Sequence, residues 1–158
     1  MKAQKINYII GFIGFAALGA SSCKKDTAPD PIAPVIENVE VGRGDNGIGV
    51  AGEDFHLEID VVAGDRIDII LIRIEQRPDE TYAREWSHEV TWEQYRGARN
   101  TNVHQHFDIP EDAPAGRYDF VIIVHDQNGT RLEERRTLNI SAPQVLGMVY
   151  IHSNIAVA

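Results

Sequence analysis

The sequence holds one cysteine, two methionines and no apolar run of full membrane-spanning length. A single cysteine excludes an intrachain disulfide. With only Met1 and Met148 there is no thioether-rich copper(I) site. Phosphate loops, nucleophile–base motifs and paired metallohydrolase signatures are missing, which argues against the common hydrolase and nucleotide-binding classes. Basic residues are also short, with 15 Lys and Arg against 24 Asp and Glu and a net charge of −9. An acidic chain repels phosphate backbones, so nucleic acid is not an expected partner. Its field attracts cations or cationic partners, and it keeps an exposed protein soluble.

The charge of the first 22 residues comes from Lys2 and Lys5 alone; without them the net charge moves from −9 to −11. Ile6 to Ala20 is apolar, about 15 residues where a spanning helix needs roughly 20. Small residues follow, in the order of a secretory signal. Ala20-Ser21-Ser22-Cys23 resembles the lipobox of bacterial lipoproteins, with Ala20 where Leu is usual. Residues 1–22 are therefore expected to be a signal peptide, and Cys23 the site of lipidation and membrane attachment. Residues 23–34 (CKKDTAPDPIAP) lack the apolar content of a core and read as a tether. The Lys and Asp after Cys23 resemble lipoproteins of the Bacteroidetes type. The expected address is the cell envelope, at the outer membrane, facing the periplasm or the cell surface.

From Val35 onward no apolar stripe repeats at helical spacing. Short β-rich runs alternate with Gly, Asp, Asn and Pro turns, which predicts an all-β fold. Strands are expected near 35–41, 54–62, 66–76, 85–93, 103–109, 117–126 and 130–140, with the glycine-rich 42–52 as a loop. The near-continuous apolar run at 66–76 predicts a strand covered on most of both faces. The run at 85–93 predicts a sheet-edge strand. Asp126-Gln127-Asn128-Gly129 predicts a hairpin turn, not a calcium loop. The fold class is thus an immunoglobulin-like antiparallel β-sandwich of about seven strands over 35–141. Residues 142–158 stay unassigned.

The stretches APVIENVEVG, Asp54-Phe55-His56-Leu57-Glu58, NTNVHQHFDIP and AGRYDFVIIVHDQNG resemble a Bacteroidetes lipoprotein family, domain of unknown function family 4625. The resemblance runs from Ala33 to about Ile140. It implies an immunoglobulin-like fold and a lipid anchor, and it implies no activity.

Six histidines are present. Phe55, Leu57, Ile59 and Val61 alternate toward the core, so His56, Glu58 and Asp60 point outward. Val103 and Phe107 do the same for their run, placing His104, His106 and Asp108 outward. In an immunoglobulin-like sandwich these two strands are antiparallel neighbours. One face is then expected to carry His56, His104, His106, Glu58, Asp60 and Asp108, a donor set suited to Zn²⁺ or another divalent transition metal. Polar residues on the wet face of a sheet also occur without any ligand. Trp86, His88 and Trp92 share a face and form a weaker candidate, an aromatic platform for a ligand such as a sugar, or else core packing. His125 is expected to face solvent.

The function expected from these residues is a non-enzymatic, lipid-anchored binding module, in its sharpest form a metal binder. Two alternatives stand beside it. One is an accessory envelope lipoprotein that docks a protein or glycan partner without metal. The other is a small metal-dependent hydrolase, which an exposed sheet without a cleft disfavours.

Overall fold

The computed structural model describes residues 29–143. Eight strands follow in order: β1 (Val35–Val41), β2 (Ile48–Val50), β3 (Asp54–Val62), β4 (Ile67–Gln76), β5 (Ser87–Trp92), β6 (Asn100–Asp108), β7 (Gly116–Asp126) and β8 (Arg131–Ser141). They form two sheets, ordered β1-β3-β6 and β2-β8-β7-β4-β5. This is an all-β sandwich with immunoglobulin-like strand order. Cys23, the expected signal peptide over 1–22 and residues 144–158, His152 among them, lie outside the described residues.

The expected loop at 42–52 contains a strand. Ile48–Val50 pairs in parallel with Asn139, Ile140 and Ser141 of β8. Three residues between turns carry too little periodicity to announce themselves, and Gly49 hides the pattern further. A Cβ at Gly49 would lie 2.3 Å from Ile109 Cδ1 and 3.3 Å from Phe55 Cδ2, so only glycine passes there without displacing the core. The sixth strand starts at Asn100, three residues before the expected 103.

Alternation builds the core. Phe55, Leu57, Ile59 and Val61 of β3 face Ile70, Ile72 and Ile74 of β4 and Tyr118, Phe120, Ile122 and Val124 of β7, all at most 2% exposed. Phe55 joins the sheets, its ring 5.7 Å from Phe120 and 5.6 Å from Phe107. Tyr118 Oη donates to the Pro114 carbonyl at 2.6 Å. That bond, four residues back along the chain, is the tyrosine corner of immunoglobulin-like domains. On the outer face of β7, Val121 and Ile123 are also buried. Arg135 and Glu133 of β8 stand opposite them and pair with each other, their aliphatic stems covering apolar surface. β5 is an edge strand, as expected, pairing only with β4.

The β7–β8 turn closes as the sequence predicts, with Gly129 at φ 88° and its N–H donating to Asp126 O. Asp126 is the buried charged residue of the described chain. Burial alone would raise its pKa. Backbone N–H groups of Asn128, Asp65, Arg66 and Gly64 outweigh that and hold it below the ordinary value.

Candidate functional site

β3 is the middle strand of the small sheet, so its outward side chains meet neighbours on both sides. β6 lies antiparallel to it with Phe55 opposite Phe107, His56 opposite His106 and Glu58 opposite His104. Both phenylalanines turn inward, which sends the imidazoles outward.

The three rings converge. His56 lies 4.9 Å from His104 and 5.1 Å from His106 between centroids, and His104 lies 5.6 Å from His106. One nitrogen from each falls within 4.8 Å of the others. His56 Nδ1 and His106 Nε2 stand 3.3 Å apart. His56 is the sheltered member, its side chain 10% exposed, against 55% for His104 and 42% for His106.

Carboxylates hold the rings from behind. Asp54 Oδ2 is 2.7 Å from His106 Nδ1, Glu58 Oε2 is 3.4 Å from His104 Nδ1, and Glu40 Oε1 is 3.4 Å from His56 Nε2. Glu40, His56 and Glu58 form a second group whose ligand atoms lie within 4.8 Å of one another. A His/Glu group of this kind can hold a metal ion.

Of the six residues expected on this face, four gather: His56, His104, His106 and Glu58. Asp60 is drawn away by Asn38 Nδ2 at 2.7 Å and Asn102 Nδ2 at 2.9 Å. Those two amides, Asn38 first, hold its pKa below the ordinary carboxylate value. Asp108 stands opposite Asp54 at the end of the ladder.

Sequence reasoning missed Asp54 and Glu40. Asp54 lies within the expected strand 54–62 and has the right parity, two residues before His56, but was not counted with the outward set. Glu40 was hidden by a β-bulge: Glu37 opposes Asp60 and Glu40 opposes Glu58, so two residues of β1 face one of β3. Asn38 takes the left-handed conformation there, φ 49°, one that Asn tolerates better than most residues. Regular pairing would have put Glu40 opposite Leu57 and turned it into the core. This face also sets acid against acid at Glu37/Asp60, Glu40/Glu58 and Asp54/Asp108.

The second candidate is turned inward. Trp92 is 7% exposed and belongs to the core, while Trp86 packs against it. His88 is stacked between Trp86 at 6.2 Å and Phe107 at 6.3 Å. Burial lowers its pKa, with Asp112 opposing the shift. Period-two alternation grouped these residues correctly, but the face they share is the one packed against the small sheet. His125 is half-buried beside Ile69 and Arg131.

Fold and site together define a β-sandwich domain with an imidazole–carboxylate cluster on its smaller sheet. Residues 21–141 match the model of the family described as Domain of unknown function (DUF4625), and the chain belongs to that family. A search of curated proteins finds no match. Among solved structures, the chain is similar to the GspB Siglec domain, with 17% identity over 76% of this chain and 63% of that one, at a TM-score of 0.45. It is also similar to the sporulation control protein Spo0M from Bacillus subtilis, with 16% identity over 70% and 50% of the two chains and a TM-score of 0.44. The chain thus spans less than two thirds of either structure.

Proposed function

We propose that this domain is a non-enzymatic metal-binding module, carried on the cell envelope by a lipid on Cys23. The observation that carries the metal reading is the convergence of His56, His104 and His106, each with a carboxylate behind it. Imidazole nitrogens select zinc, copper(II) or nickel over calcium or magnesium. Carboxylates accepting the second ring N–H fix ring orientation and raise ligand basicity. Three protein ligands leave a fourth position for water or for a group on a partner. The acidic surroundings attract a cation before any bond forms. The signal-like segment, the small residues before Cys23 and the tether support the lipid anchor.

The test is calorimetric titration of the Cys23→Ser chain, metal-stripped, with Zn²⁺, Cu²⁺ and Ni²⁺. Binding should be lost in His104→Ala/His106→Ala and kept in His125→Ala. Absence of binding tighter than millimolar removes the metal reading. Palmitate labelling of the wild type but not of Cys23→Ala checks the anchor separately.

A further inference from the structure

We propose that Glu40 and Asp54 are positioning residues that decide which ring nitrogens meet the metal: His56 binds through Nδ1 and His106 through Nε2. This rests on the metal reading above and deepens it.

The ring hydrogens are limited in number. His56 and His106 make three polar contacts between them: His56 Nε2 to Glu40, His106 Nδ1 to Asp54, and His56 Nδ1 to His106 Nε2. The first is an ion-pair distance of 3.4 Å; the other two have hydrogen-bond geometry. Two neutral imidazoles carry two N–H groups. One lies on His106 Nδ1, donating to Asp54 at 2.7 Å; the other, on His56, bridges to His106 Nε2 in the metal-free protein. A metal between His56 Nδ1 and His106 Nε2, 3.3 Å apart, takes the place of that bridging hydrogen. The His56 hydrogen then sits on Nε2, with the Glu40 carboxylate 3.4 Å away to hold it.

The spacing also fits a metal. Two nitrogens at roughly 2.0–2.1 Å from a tetrahedral zinc stand about 3.3–3.4 Å apart. His104 supplies the third nitrogen; with Nδ1 toward Glu58, its Nε2 is the free one.

Both carboxylates are themselves held. Glu40 Oε1 also accepts the Gly44 N–H at 2.7 Å. Gly44 sits in a turn closed by Asp45 N–H to Gly42 O at 3.1 Å, with its own φ at 67°. The β1–β2 turn therefore anchors Glu40, and the bulge at Asn38 aims it at His56. Asp54 opens β3, two residues before His56 on the same face.

The experiment uses the ¹⁵N-labelled Cys23→Ser chain with and without one equivalent of Zn²⁺, read by long-range ¹H–¹⁵N correlation of histidine rings. The expected result is metal on His56 Nδ1 and His106 Nε2, with protons on His56 Nε2 and His106 Nδ1. Zinc bound through His56 Nε2 or His106 Nδ1 overturns the inference and leaves the metal reading intact. No zinc-dependent change at any of the three rings overturns both. In parallel, Glu40→Ala and Asp54→Ala should each weaken zinc about 10- to 100-fold, and Asp54→Asn, which keeps an acceptor oxygen, should recover part of that loss. A loss below 10-fold in both alanine variants, with unchanged unfolding curves, shows that neither residue positions a ligand.

Discussion

Tyr118→Phe tests whether the sandwich depends on its corner. The change removes one oxygen and keeps the ring. Tyr118 is fully buried and its hydroxyl lies 2.6 Å from the Pro114 carbonyl, itself on a buried residue. The net worth of such a bond is about 1 kcal/mol, and leaving a buried acceptor unpaired adds about 1–3 kcal/mol. A loss near 2 kcal/mol follows, equivalent to roughly 8–12 °C in melting temperature for a domain of this size. Thermal and urea unfolding followed by tryptophan fluorescence read it directly, because Trp86 sits 5.4 Å from the Tyr118 ring. Tyr82→Phe is the control. Its hydroxyl accepts from Arg77 N–H at 3.0 Å and donates to the Arg117 carbonyl at a half-buried position that water can reach. It should cost about half as much. A melting temperature within 2 °C of wild type for Tyr118→Phe would show that the Pro114 carbonyl is satisfied by another donor and that the corner is not a stabilising bond.

Asp126→Ala should cost about 2–4 kcal/mol in denaturant unfolding, since the N–H groups of Asp65 and Asn128 lose a charged acceptor at 3.0 and 2.9 Å. The folded pKa of Asp126 lies below its ordinary 3.8, so its contribution is complete above that value; the gap to wild type should narrow as pH falls from 3.8 through the folded pKa. Gly49→Ala should destabilise by about 1–3 kcal/mol through overpacking against Ile109 and Phe55, measured the same way. Asp108→Asn, which relieves the Asp54/Asp108 opposition, should stabilise the metal-free protein by about 0.2–1 kcal/mol.

The sandwich was legible because alternation is rigid. Once Phe55 and Phe107 are both inside, the parity of two strands fixes the direction of His56, His104 and His106, and the observed register agrees with that prediction. The turn at Gly129 was legible for a similar reason, since its conformation demands that residue type. Three things were not. β2 is too short to show a period. Trp92 stays open between a ligand platform and core packing, because alternation alone does not determine which side the small sheet covers. Glu40 depends on one extra residue in β1, and a bulge inverts the face of everything beyond it.

The charge pattern gives the cluster its meaning. Across β8, β7 and β4, the outer face of the large sheet sets opposite charges together: Arg135 with Glu133, Glu75 and Asp119, and Arg73 with Glu75. The same chain therefore has the means to neutralise a surface by pairing side chains. On the small sheet it instead places three acid–acid oppositions around three imidazoles. Like charges directly opposed across strands are destabilising. Arginine at position 40 or 54 would relieve that repulsion within the sheet. Carboxylates there leave a local deficit of positive charge centred on His56, whose ring stands between Glu40 on one neighbouring strand and His106 on the other. Departures from local consistency concentrate where a site is built for something outside the chain, and a cation is the component we propose for this one.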